Sequence, residues 1–395
     1  MKRGLLLLLA GLMIFAFTGL GLADEYQGVT KDTVTVGSIL DMSGPIVHPL
    51  AQMNYGQLTY TQKAYDEGLF KRKIKIVAED GQYNPAKHLA AGKLLLDRDK
   101  VLCFINSVGT SPSLALYQLL KARKVPLLTH GSQSKRLAEP FKRYIFVNFP
   151  SYYDQARIAV DYILGQNPKA KIAITCQDDD MGHEGKDGFL AQLKKHGVKP
   201  AGVVTFQRGA KDFSAPVLKL KSLNPDYVIL HTISTYGAAI VKEAHKLAWK
   251  TKWVAISGVI DDHFGKLAGQ KSFDFLGDVY GLMSSFPETT NDPVAVQFRK
   301  DLKKYQPKAA VDPRSFWGYG FGMILVEALK RAEAKNDLTR EGMVRAMESF
   351  KNFQTGVFPP LTYSSTSHAG PDTCMLVKIQ NLKWVPMTGD WIKAK

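Results

Sequence analysis

The sequence predicts an α/β protein of two Rossmann-like lobes joined by three hinge crossovers, with a ligand cleft between them. Three observations carry this expectation. Short apolar runs alternate with helical stripes along nearly the whole chain, as in repeated βα units whose strands are covered on both faces. The first run, Val34-Thr-Val-Gly-Ser-Ile-Leu40, passes into a small-residue loop, Asp41-Met-Ser-Gly-Pro45, before a helical pattern begins near Asn54. At 395 residues the chain exceeds one comfortable core. Ligands of open α/β sheets sit at the carboxyl ends of strands, so Asp41 to Asn54 is expected to be the first ligand-facing loop.

Met1 to Ala23 reads as a secretion signal. Lys2 and Arg3 form the charged start, Leu5 to Leu20 the apolar stretch, and Gly21-Leu22-Ala23 the small-residue cut site. An uncleaved membrane anchor is the alternative, because the run is near the lower length for a span. No Cys follows the run, so no lipid anchor is expected. Removing the 23 leader residues leaves 372, and the net charge falls from +16 to +14 because Lys2 and Arg3 go with them. The basic residues are scattered among acids and never form a run interleaved with aromatics. A solubilising surface is expected rather than nucleic-acid binding.

The strand candidates are Thr33–Leu40, Ile74–Glu79, Leu102–Ser107, Leu127–Thr129, Tyr144–Asn148, Lys171–Cys176, Gly202–Phe206, Tyr227–His231, Trp253–Ser257 and Asp278–Met283. Between them lie helical patterns. Asn54–Glu67 carries one stripe of Tyr55, Leu58, Gln62 and Tyr65. Pro85–Arg98 follows an Asn84 cap, with proline at the first helical position, where its missing N–H costs nothing. Ser111-Pro112 repeats that device ahead of Ser113–Arg123. The remaining helices are Tyr152–Leu164, His183–Lys195, Phe213–Lys221, Tyr236–Leu247, Asp292–Tyr305, Ser315–Ala332 and Thr339–Phe350. Cys374–Gln380 and Leu382–Val385 read as a closing hairpin. One lobe is expected over residues 24–149 plus 282–354, and the other over 150–281 plus 355–395.

Three widely spaced cysteines, Cys103, Cys176 and Cys374, are no disulfide framework. Core packing is expected for Cys103 and Cys176, with a Cys103–Cys176 or Cys176–Cys374 bridge left open. The nine histidines show no metal spacing. His130 could face a ligand carboxylate or rest as a neutral loop histidine. There is no Gly-x-Ser-x-Gly elbow, His-Glu-x-x-His helix, Cys-x-x-Cys pair or phosphate-cradling loop, so neither an enzyme nor a cofactor or metal is expected.

Taken together in order and spacing, several segments resemble the type I periplasmic binding proteins of ABC importers, in the branched-chain amino acid group. They are Val34 to Pro45, Glu79-Asp80 with Asn84-Pro85, Asn106–Ser113, Val125-Pro-Leu-Leu-Thr-His-Gly-Ser132, Asp178–Gly185, Lys211-Asp-Phe213 and Leu361-Thr-Tyr363. The resemblance implies a periplasmic, monomeric receptor that closes on a small ligand and presents it to a membrane permease, or to a sensor system. It places the ligand carboxylate on Asn106–Ser113, with Ser107 and Thr110, and on a second loop with Gly131, Ser132 and Gln133. Ser111 is expected to cap the following helix. Across the cleft it points to Met181, and Tyr152 and Tyr236 are candidate lining aromatics.

One departure bears on the ligand. The family's amino acid binders hold the α-ammonium on an acidic residue where this chain has Ser257. A buried ammonium without a carboxylate is costly. A small organic acid lacking the amine is therefore expected, with amino acids as the alternative should Asp261 or Asp262 substitute, and an amide or urea a third class.

Overall fold

The computed structural model describes residues 27–395, so the leader reading lies outside the described residues. Two sheets organise the chain. The first contains β1 (Thr33–Leu40), β2 (Lys73–Asp80) and β3 (Phe104–Ser107), all parallel in the order β2-β1-β3. The second has seven strands. Five are parallel: β4 (Ile172–Gln177), β5 (Gly202–Phe206), β6 (Tyr227–His231), β7 (Lys252–Ala255) and β8 (Val279–Met283). The hairpin of β9 (Thr373–Gln380) and β10 (Lys383–Lys393) joins antiparallel beside β8, giving the order β10-β9-β8-β7-β6-β4-β5.

Twelve α-helices lie among the described residues. Those beside the first sheet are α1 (Val47–Asp66), α2 (Pro85–Asp97), α3 (Thr110–Arg123), α10 (Pro293–Tyr305), α11 (Pro313–Ala334) and α12 (Arg340–Glu348). Those beside the second are α4 (Tyr152–Gln166), α5 (Asp180–Lys195), α6 (Ser214–Ser222), α7 (Ser234–Lys246), α8 (Asp262–Ala268) and α9 (Gln270–Leu276). The chain passes between the lobes three times, around residues 145–152, 283–293 and 348–373. These passages are tied to one another. Phe286 N–H donates to Val357 O at 2.8 Å, and Val147 N–H to His368 O at 2.9 Å. The Tyr363 hydroxyl donates to Val147 O at 2.8 Å.

Local chemistry explains most boundaries. Asn84 accepts from the N–H groups of Ala86 and Lys87 at the start of α2, where Pro85 fills the first position. Asp312, Pro313 and Ser315 form a capping box that starts α11. Four expectations change. Helix α1 begins at Val47, seven residues before Asn54, so the first loop after β1 is only Asp41–Ile46. Pro49 sits in its first turn, where no intrahelical N–H bond is lost. Leu127–Thr129 and Tyr144–Asn148 form no strands and contribute only isolated bridges at Leu127 and Ile145. The short helices α8 and α9, bounded by Gly269 and Gly277 at φ 78°, were hidden by their length. Ser111 is not a cap: Gly109, at φ 92°, occupies that position, and the Ser111 hydroxyl accepts instead from Arg208 of the other lobe at 3.0 Å. All three cysteines are buried and unbridged, and burial pushes the Cys176 thiol up to about 12.

Helices α1 and α11 approach with backbone against backbone. A Cβ on Gly56 would overlap Ser315 O, and one on Gly318 would overlap Met53 O. This contact sets the first lobe's side of the cleft, because α1 carries Pro49, Leu50 and Met53 there and α11 carries Arg314 and Trp317.

Candidate ligand-binding cleft

The carboxyl ends of β1 and β3 face those of β4, β6 and β7. A cleft enclosing about 490 Å³ of atom-free space, its opening to solvent included, lies between them. Its walls are mostly apolar: Ile46, Leu50 and Met53 with Trp317 on one side, Met181 and Ile233 on the other. The polar lining is sparse. It includes Gln133, Ser234, Asp261 and Arg314, with the tyrosines Tyr83 and Tyr152 and the small residues Gly109, Gly131 and Gly258.

Gln133 is the pivot of the floor. Its Oε1 accepts from the Gln155 amide, from Ser257 Oγ at 2.5 Å and from Ser284 Oγ at 2.9 Å, and its main-chain carbonyl accepts from Tyr152 N–H at 2.7 Å. With Oε1 saturated, the Nε2 amide is left without a protein acceptor. Arg314 is the second anchor. Its Nη2 donates across the cleft to Ser257 O at 2.9 Å and Gly258 O at 3.1 Å, and its guanidinium stacks 4.1 Å from the Trp317 ring centroid. Nε stands 3.6 Å from Asp261 Oδ2, an oxygen that accepts no hydrogen bond. Burial raises the Asp261 carboxyl's pKa, and the Arg314 charge and Phe264 N–H oppose that shift.

Other contacts hold the lobes together around the cavity. Glu184 of α5 accepts from the Ser134 hydroxyl and, at 2.8 Å, from Lys135 N–H. Arg136 pairs with Asp180, and Thr235 donates to Pro45 O at 2.8 Å. Behind Arg314, Asp262 N–H donates to Asp312 Oδ2 at 3.0 Å, and Asp262 pairs with Lys383. Glu288 is buried near these groups, and its Oε2 has no partner. Burial first, then the charges of Asp312 and Asp262, push its carboxyl up to about 8, while Lys383 pulls the other way. A carboxyl raised on folding stabilises most below its ordinary value, and that stability is lost as pH rises through the folded value. The buried neutral histidines, His130 among them, add stability over the lower part of the same range, so the expectation is on the difference: wild type should lose stability relative to Glu288→Gln between pH 5 and pH 8, at a limiting slope of ~1.4 kcal/mol per pH unit. Calorimetry across that range checks it; an equal slope in both proteins would assign the pH dependence to other groups.

The nine expected site residues separate into two sets. Gly131, Gln133, Tyr152 and Met181 line the cavity. The other five lie off it. Thr110 Oγ1 and Ser132 Oγ, 2.8 Å apart, join the two first-lobe loops to each other. Ser107 Oγ is buried between Ser113 Oγ at 2.8 Å and His88 Nε2 at 2.7 Å. Ser257 Oγ is engaged by Gln133 and, at 2.8 Å, by Gln155. The Tyr236 hydroxyl accepts from Gly209 N–H at 2.9 Å and borders an outer groove. His130 is buried, and its Nδ1 accepts from Ser132 N–H at 3.3 Å; burial lowers its pKa to about 4, so it is neutral. Sequence reasoning missed Arg314 and Tyr83, and it expected the ligand-facing segment Asp41–Asn54 as a loop where most of it is the first turns of α1. The Asp312-Pro313 start signal placed Arg314 in a first turn, and Ile46, Pro49, Leu50 and Met53 follow helical spacing, so part of this was readable.

A periplasmic binding protein family model matches residues 33–383. The chain belongs to the periplasmic binding protein family. The binding protein is 27% identical over 277 residues to the Leu/Ile/Val-binding protein of Escherichia coli K12, covering 67% of this chain and 70% of that one. It is 23% identical over 293 residues to an amino acid binding protein of Pseudomonas aeruginosa, covering 72% and 76%. A branched-chain amino acid ABC transporter protein from Thermus thermophilus with bound valine shares the fold with a TM-score of 0.82 at 20% identity, covering 92% of this chain and 97% of that one. A fatty acid ABC transporter substrate-binding protein from Thermomonospora curvata gives the same TM-score and identity, covering 93% of each chain. The expected fold and the expected solute-receptor class are thus both found, and the family places the binding protein outside the cytoplasm. Among the described residues, no helix is long and apolar enough to cross a membrane, and no group of three or more His, Cys, Asp or Glu side chains is placed to hold a metal ion.

Proposed function

We propose that the binding protein captures a small organic acid with an apolar body and delivers it to an ABC importer as a monomer, after cleavage of its leader. The lobes are 24–149 with 282–354 and 150–281 with 355–395, and they close on the ligand by a hinge motion. What supports the ligand class is a pair of cavity-lining residues, Gln133 and Arg314, whose Nε2 amide and Nη1 make no hydrogen bond among the described residues. A carboxylate between them would satisfy both, and closure excludes water so that each bond counts. The lining carboxylate, Asp261, already faces Arg314, and the Ser257 hydroxyl is engaged, so neither is reserved for an ammonium.

An amino acid is the second reading. It is favoured by Asp261, a cavity-lining carboxylate whose Oδ2 has Arg314 Nε at 3.6 Å and the Ser234 hydroxyl nearby but no close hydrogen bond among the described residues. A thermal-shift panel of aliphatic and aromatic carboxylates, the twenty amino acids, urea and short amides separates the two. At a hundredfold excess over Kd, binding adds about 2.7 kcal/mol of stability. Shifts confined to amine-free acids support the first reading; shifts confined to amino acids overturn it. Gln133→Glu is expected to keep the floor's acceptor but set a negative charge against the ligand. It should weaken acid binding roughly a hundredfold, because like charges brought together cost several kcal/mol. Isothermal titration checks this.

A further inference from the structure

Tyr83 borders two spaces. On one side is the inner cavity. On the other is an outer groove with about 1110 Å³ of atom-free space, lined by Pro45, Arg208, Lys211, Phe213 and Tyr236. The ring is buried, with its hydroxyl 4.0 Å from Met181 Sδ in the facing lobe. Its backbone is unusual. Gln82 and Tyr83 are consecutive non-glycine residues at φ 50°, a conformation that persists only where the surroundings over-determine it.

Those surroundings are identifiable. Asp80 Oδ1 accepts from Gln82 N–H at 3.0 Å, and Asn84 N–H donates to Gly81 O at 2.9 Å, so the turn is fastened within its own lobe. From the other lobe, Arg208 Nη1 donates to Tyr83 O at 3.1 Å, and the guanidinium lies 5.0 Å from the ring centroid. Asp179 holds Arg208 through a 3.2 Å bond to Nε. The ring is thus presented by one lobe and backed by the other when the lobes are together.

We propose that Tyr83 is the specificity-determining wall that limits how long a ligand can be, with Arg208 as its positioning residue. The proposal rests on the reading of the inner cavity as the ligand site. It assigns to this site compact solutes, and predicts that removing the ring joins cavity to groove so that linear chains pass through.

The test uses three unbranched series of rising length: fatty acids from acetate upward, α-amino acids from alanine upward, and primary amides from acetamide upward. Each is titrated into the full mature protein, Tyr83→Ala and Tyr83→Phe. In the wild type, affinity should rise with chain length and then collapse at a limit, unchanged in Tyr83→Phe because the ring is kept. In Tyr83→Ala the collapse should vanish, each further methylene adding about fourfold in affinity. An unchanged limit in Tyr83→Ala overturns the proposal. The head-group reading is judged separately: success of the amino acid series alone sinks the amine-free acid and still measures the wall. If no linear series binds any variant, the wall proposal falls as well.

Discussion

Replacing Arg314 with alanine is expected to cost about 3–5 kcal/mol of closed-state stability, the range found when one partner of a buried ion pair is removed. The loss has three sources. Asp261 would be left buried without the charge that offsets its desolvation. The carbonyls of Ser257 and Gly258 would lose a donor that reaches them from the other lobe. Trp317 would lose the cation over its ring. Because these contacts cross the cleft, the loss should fall on closure more than on folding of either lobe. Ligand affinity should therefore drop at least a hundredfold, while the melting temperature of the unliganded protein changes less. Small-angle scattering with and without ligand checks this directly: the variant should fail to compact. Equal compaction in both proteins would show that Arg314 does not fasten the lobes. A double variant with Asp261→Asn should recover part of the loss, since the stranded charge is removed with the pair.

Gly318→Val should be strongly disruptive to the first lobe. Any Cβ at this position overlaps the Met53 carbonyl, which is main chain and cannot swing aside. Overpacking a core typically costs about 1–3 kcal/mol, and more where backbone must move. Here α1 would be pushed off α11, and the two helices carry opposing parts of one cavity wall, Met53 against Trp317. Stability and binding should fall together, with Gly318→Ala intermediate. Thermal unfolding and ligand titration of both variants check the order. Wild-type behaviour in Gly318→Val would mean that the two helix backbones are not in contact at this position.

The regular elements were legible because they are periodic and local. The β1 run Thr33–Leu40 and the α2 start at Asn84-Pro85 announce themselves by burial pattern and capping chemistry. The cleft was legible only in part, because its lining is assembled from residues far apart in the chain. Gln133 and Gly131 were found through the family resemblance, yet the role of Gln133 as a shared acceptor for Gln155, Ser257 and Ser284 depends on three other segments. Ser257 occupies the expected place after β7, but its hydroxyl turns to the floor, and Asp261 reaches the cavity instead. Arg314 looks like an ordinary first-turn arginine until the second lobe is set against it. The strained pair Gln82-Tyr83 gave no compositional sign at all, since neither residue type signals a left-handed backbone.

The interleaving of the two lobes governs how the chain can reach this state. Helix α1 finds its partner α11 only after the whole second lobe has intervened, and β8 gains its neighbour β9 only near the C-terminus. Contacts of such sequence separation raise contact order and slow folding, because loop closure must precede the reward. A nascent chain therefore cannot complete either core until its last segment is made. The unfinished polypeptide thus stays unlocked, with both cores open, for as long as its final segment is missing. The same dependence makes the final hairpin indispensable: a chain shortened before Thr373 would leave the buried edge of β8 bare, an open template for another strand.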